Sequence, residues 1–204
     1  MTGIASRRKY NAPQRRRDLA DAAIDLLGTN GARGLSHPKV DKHAGVPDGT
    51  TSFYFRTRQA LLHATASRIA ELDLADLSLM SELAHDESTG YSGTLGLARL
   101  VMLSGAEPYL TRTRARFEIL LAARGDDDLA STMRRGTEQF VALAREVIAQ
   151  WYGSDPSTPD DLIEQRAVMV MTFISGVMTT FMQGTPVVAD ARDLDSMIRH
   201  ILGP

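Results

Sequence analysis

Residues 44–61 read Ala-Gly-Val-Pro-Asp-Gly-Thr-Thr-Ser-Phe-Tyr-Phe-Arg-Thr-Arg-Gln-Ala-Leu, and the order of these residue types decides the fold. Gly45 suits a sharp turn and Pro47 biases Val46 away from helix, so a helix arriving near His43 must stop there. Beyond the turn, Pro47 to Phe53 predicts a short helix rich in small hydroxyl residues. Two short helices joined by a tight glycine turn make the unit in which one helix crosses behind while the other enters a DNA major groove. Thr and Ser donate to or accept from base edges and phosphates, and the Thr methyl suits the thymine methyl.

Upstream, Leu19, Ala22, Ala23, Leu26 and Leu27 recur on one helical face, which predicts a helix over 13–29. Asn30-Gly31 and Gly34 break it, Ser36 is placed to cap the next helix, and Pro38 falls in that helix's first turn. Val40 and Ala44 give this supporting helix its inner face, and Val46 and Phe55 read as core. Downstream, Thr57 caps a fourth helix reaching about Ala84, and further helices are expected at 93–107, 108–124, 127–152, 159–184 and 190–202. Asp126, Asp127 and Asp128 put negative charge where a helix dipole favours it, and Thr158-Pro159-Asp160-Asp161 supplies a cap, a first-turn proline and two acids. Period-two alternation is confined to Pro186-Val187-Val188, so the chain reads all-α with about nine helices.

The chain has 204 residues, no cysteine and a net charge of -2. That charge is unevenly placed: residues 1–60 hold 11 Lys/Arg against 5 Asp/Glu, whereas 61–204 hold 12 against 20. A basic head on an acidic body fits contact between the head and a polyanion, although a solvated charged tail has the same signature. The absence of cysteine excludes disulfides, thiolate metal sites and cysteine nucleophiles, and fits a cytoplasmic location. The longest apolar stretch, 167–182, is short and interrupted by Thr, Ser and Gly, so a buried helix is expected there and no membrane partner. The five histidines lack metal-ligand spacing and no glycine-rich phosphate loop follows a strand, so no catalytic residues, metal or cofactor are expected.

Residues 13–62 resemble the TetR family of transcriptional regulators. The resemblance lies in the Ala44-Gly45-Val46 turn, Gly49-Thr50, the aromatic run ending at Phe55, Arg58, Ala60-Leu61, and Ala22-Ala23 with Leu26 upstream of Gly31. It implies an N-terminal three-helix helix-turn-helix domain over 13–60, preceded by a flexible basic arm at 1–12, and a helical ligand-binding and dimerisation domain over 61–204. It also implies that Arg16, Ser36, His37, Lys39, Tyr54 and Arg58 touch the DNA backbone, while Asp48, Thr50, Thr51 and Phe53 lie at the groove. Arg7, Arg8, Lys9, Arg15 and Arg17 would extend that footprint, or form a tail with no fixed contact. Four residues depart from the family pattern: Pro47 replaces a capping Ser, Thr51-Ser52 replaces Leu-Tyr, and Asp41 replaces a small apolar residue. An acid facing the small core would need Lys39, Lys42 or a backbone N–H as partner, so Asp41 is expected at the rim.

The family's ligand domains differ widely, so the body is read from its residues. Candidate pocket residues are Met80, Met102, Phe117, Leu121, Phe140, Met169 and Phe173, with Arg114, Arg116, Glu118 and Gln139 as polar contacts; ordinary core or an exposed face explains each equally. The 159–184 helix is apolar nearly all round and needs cover on two sides. TetR-like proteins dimerise through their last two long helices, which makes Phe173, Ile174, Val177, Met178, Phe181, Met197 and Ile201 the expected subunit interface. The implied function is a homodimeric repressor that binds double-stranded DNA and is released by a small, largely apolar effector. An activator, a ligand-independent binder with the same head, or a small helical enzyme are the alternatives.

Overall fold

The computed structural model describes residues 12–84, 91–153 and 159–203. The expected arm at 1–12, Ala12 apart, and the expected cap at Thr158 lie outside those residues. Regular structure among the described residues is helical: α1 (Ala12–Asn30), α2 (His37–His43), α3 (Thr50–Tyr54), α4 (Arg58–Ala84), α5 (Gly93–Leu103), α6 (Tyr109–Ala122), α7 (Asp127–Trp151), α8 (Asp160–Met182) and α9 (Ala191–Leu202). Thr57 caps α4 as expected, its Oγ1 accepting the Ala60 N–H at 3.0 Å. Asp126 caps α7 through the Leu129 N–H at 3.0 Å, and Asp190 caps α9 through the N–H groups of Arg192 and Asp193.

Four local expectations need correction. Ser36 occupies the position before α2, but its hydroxyl makes no capping bond. Pro159 precedes α8 instead of lying in its first turn. The fifth helix stops at Leu103 instead of 107, because Ser104, Gly105 and Ala106 tighten into successive turns, with Gly105 pressed against the Phe181 ring. The recognition helix begins at Thr50 instead of Pro47, because Gly49 takes a left-handed conformation, φ 86°, directly before it.

Two apolar clusters organise the chain. The first runs from the head into the body, joining Leu19, Leu27, Val40, Phe55, Leu61 and Ile69 to Ala115, Ile119, Leu129 and Met133. The second holds α5, α8, α9 and the C-terminal half of α7, around Ala98, Ile148, Val170, Ile174, Val177, Leu194 and Ile198. The charge shift near residue 60 therefore coincides with no break in packing. At the crossing of α1 and α6 the backbones approach so closely that a Cβ on Gly28 would lie 2.1 Å from the Thr111 carbonyl oxygen.

The helix α8 is long and apolar enough to cross a membrane, and it buries Ala167, Val170, Ile174, Val177 and Phe181 within the protomer. Of the expected subunit-interface residues, Ile174, Val177 and Phe181 are buried within the protomer, while Phe173, Met178 and Ile201 are half-buried against the same cluster. Of that set, only Met197 is exposed. The outer face of α8 instead presents Val168, Met169, Thr172 and Gly176.

Candidate functional site

A five-residue helix has no intrinsic stability, since nucleation costs more than so few hydrogen bonds return. Tertiary contacts must hold α3, and α2 supplies them at both ends. Asp41 is 1% exposed, and its carboxylate accepts the Gly49 N–H at 2.8 Å, the Thr51 N–H at 2.7 Å and the Thr51 hydroxyl at 2.6 Å. These amides belong to the start of α3, so Asp41 caps that helix from its neighbour. At the other end the His37 Nε2 donates to the Phe55 carbonyl at 2.7 Å. Gly49, the residue directly ahead of α3, has no side chain to cap the helix, and Asp41 supplies the cap from across the turn. The expectation that Asp41 sits at the rim is wrong, because three hydrogen bonds offset the cost of its burial.

The same bonds redistribute the residues expected to meet DNA. Thr51 is fully buried and directed at Asp41, away from any groove. His37 has one ring nitrogen committed to Phe55, which removes that donor from phosphate binding. Thr50 is half-buried, with its hydroxyl donating to the Pro47 carbonyl at 2.5 Å. Phe53 is 79% exposed, and Ser52, which the sequence reading passed over, is exposed beside it. Asp48 is exposed in the turn before α3 and Lys39 is exposed on α2, its Nζ 3.4 Å from the Arg33 carbonyl. Ser36 is half-buried ahead of Lys39. The Tyr54 ring packs edge-on against Phe53 at 5.2 Å, and the Arg16 guanidinium lies 5.6 Å from Tyr54 and 5.3 Å from Phe55. Arg58 donates to the Ala32 carbonyl at 2.9 Å, so the turn after α1 fixes its side chain.

Polar latches tie this head to the body. Glu118 on α6 accepts the Ala32 N–H at 2.8 Å, gripping the turn that Arg58 holds from the other side. Arg68 on α4 donates to Asp21 on α1 at 2.7 Å, and this bond holds its pKa above the ordinary arginine value against the opposing effect of burial. His63 and Gln59 on α4 both reach Asp126, at 2.8 and 3.0 Å. The Leu129 amide, then Gln59 and His63, lower the Asp126 pKa to about 2.

A partly open cavity of about 180 Å³ lies between α4, α5, α6, α7 and α8. Among the expected pocket residues, Phe117 and Phe140 line it. Leu121 is 76% exposed and Met169 points outward from α8, while Met80, Met102 and Phe173 lie outside the lining of this cavity. Met133, Met171 and Met178 line the cavity, as does Ile69. One wall is charged: Asp73 and Asp76 from α4 face Arg112 and Arg116 from α6. Asp73, 4% exposed, accepts from Arg116 at 2.5 Å and lies 3.6 Å from the Arg112 Nε, while Arg112 also pairs with Asp76. Of the polar candidates read from sequence, Arg116 reaches this wall. Glu118 instead grips the Ala32 turn and Arg114 lies 3.9 Å from Glu107.

Residues 19–65 match the family described as bacterial regulatory proteins, tetR family. No curated protein matches the chain. Among solved structures, a TetR-family member from Streptomyces coelicolor A3 is 21% identical, with a TM-score of 0.66 over 94% of this chain and 100% of that one. A transcriptional regulator from Rhodococcus sp. Rha1 is 19% identical, with a TM-score of 0.67 over 92% and 94%. The multidrug binding protein EbrR, solved with ethidium, is 22% identical, with a TM-score of 0.64 over 93% and 99%.

Proposed function

We propose, for a chain whose residues 19–65 match the TetR family and whose fold is similar to that of its solved members, the role of a homodimeric, ligand-responsive repressor that acts on double-stranded DNA in the cytoplasm. This makes it a regulator in place of an enzyme. The observation that carries the reading is α3, tethered by Asp41 and His37 at its two ends while Phe53 stands 79% exposed on its outer side. An exposed phenyl on a helix braced from behind fits insertion into a groove, where it meets thymine methyls. Thr50 and Ser52 flank it as hydroxyl contacts, and Asp48 accepts from a base amino group. Lys39, Tyr54, Arg58 and Arg16 meet the phosphates and set the register.

Half-sites on DNA repeat at about 34 Å, which asks for two heads at fixed separation. The outer face of α8, with Val168, Met169, Thr172 and Gly176, serves as the subunit contact together with Met197 of α9. Gly176 has open space around its Cβ position, which allows a second backbone to approach. The cavity takes a small, largely apolar effector, a reading supported by EbrR, which is solved with ethidium and with malachite green. Its walls include α4, which continues from the head, and α6, which holds the head at Gly28 and Ala32. A ligand with different affinity for two settings of these helices shifts the spacing of the two heads.

The test is a gel shift on the DNA flanking the coding region, compared with random duplex at one salt concentration. Site preference of at least about a thousandfold fits a specific regulator. Equal binding to both duplexes overturns the reading.

A further inference from the structure

We infer that the effector is an electrically neutral molecule with an apolar body and one end group that both donates and accepts hydrogen bonds. The inference rests on the effector-cavity reading above and adds the ligand's charge class.

The charged wall carries two carboxylates, Asp73 and Asp76, and two guanidinium groups, Arg112 and Arg116, so its formal charge at neutral pH is zero. These four groups are already matched, Asp73 between both arginines and Asp76 on Arg112. The remaining lining is mostly apolar and includes Ile69, Phe117, Phe140, Met133, Met171 and Met178, with scattered hydroxyls. A charged ligand adds one unmatched charge to this balanced wall: an anion lies beside Asp73 and Asp76, and a cation beside Arg112 and Arg116, unless it displaces one of them from its partner. Either way one charge is left without a partner in a largely apolar site, where an unpaired ion is strongly disfavoured. A neutral ligand leaves the ion pairs intact. Arg116 donates one bond to Asp73, so its other N–H groups are available to an acceptor, and a neighbouring carboxylate offers an acceptor to a donor. A primary amide or an alcohol satisfies both at once, while Met and Phe side chains fit an apolar body.

The experiment offers the full-length protein matched triplets on one skeleton: phenylbutyramide, phenylbutyrate and phenylbutylamine, with naphthyl and alkyl equivalents. Binding is read by calorimetry and by the shift in melting temperature. The amide is expected to bind at least about tenfold more tightly than either ion. Arg116→Gln leaves the wall with one excess negative charge and should move the preference to the ammonium. Asp76→Asn, at the more exposed of the two acids, should move it to the carboxylate. Gly136 lines the cavity and has open space beyond its Cβ position, so Gly136→Phe fills the cavity and should abolish binding of every member.

Tighter binding of a charged member by the parent protein overturns the neutral class and leaves the cavity reading standing. Undiminished binding by Gly136→Phe puts the ligand elsewhere and overturns the cavity reading itself. Failure of every triplet to bind overturns both.

Discussion

Asp41 in the head and Asp73 in the body are both buried acids, 1% and 4% exposed, but their partners differ in kind. Asp41 is held by two backbone amides and a hydroxyl, all neutral, at the start of one short helix. Asp73 is held by the flexible side chains of two arginines at the wall of a cavity. The first arrangement fixes a geometry, because the amides move only if the helix moves. The second holds two helices together through side chains that an incoming molecule can reach. One residue type therefore fixes a short helix in the head and pairs two helices in the body.

That contrast is open to direct attack. Asp41→Ala leaves two amides and a hydroxyl without an acceptor inside the head, and should cost about 4 kcal/mol in urea denaturation and abolish DNA binding. Asp73→Ala should cost less, about 2 kcal/mol, because Arg112 keeps Asp76 as its partner and only Arg116 loses its carboxylate; a loss equal to that at Asp41 would erase the distinction. Thr51→Val removes one of the Asp41 bonds and keeps the side-chain shape, and should cost about 1 kcal/mol. Its preference among DNA sequences should stay that of the parent, as expected of a residue that faces inward.

Two smaller effects sharpen the picture. Asp126 has its pKa lowered to about 2 from 3.8, chiefly by the Leu129 amide, so its stabilising contribution is complete above about pH 4 and is lost as pH falls toward 2. The difference in denaturation midpoint between the parent and Asp126→Asn should therefore be full at pH 7 and shrink between pH 4 and pH 2. Phe53→Ala should change stability by less than about 0.5 kcal/mol, since the ring is exposed, while weakening specific DNA binding by about 1–3 kcal/mol. Binding unchanged by that substitution would place the reading surface elsewhere.

Most of the helical scaffold is legible in the chain because its signals are local. Leu19 to Leu27 mark a buried face by spacing alone, and Thr57 and Asp126 cap helices three residues onward. The site is less legible because its contacts jump across turns and between helices. Asp41 meets Gly49 and Thr51 across the turn between α2 and α3, where helical spacing carries no information, and so Thr51 reads as a base contact when it is a structural partner. Likewise Asp73 and Arg116 are 43 positions apart, and nothing in either helix names the other. Apolar residues on α8 fare no better: Met169 and Met171 are alike in sequence, but one looks outward and the other lines the cavity. Only the neighbouring helices decide which face turns in.

The notch at Gly28 carries a practical lesson for anyone recombining such proteins. Because α1 rests directly on the Thr111 backbone, and Ala115, Ile119 and Met133 complete the apolar cluster beneath the head, the first sixty residues are not a detachable cartridge. Grafting them onto a foreign sensor would strand a greasy underside unless the matching surface of α6 and the start of α7 travelled with them. Any hybrid that kept this seam intact would keep the head seated on the helices that wall the cavity.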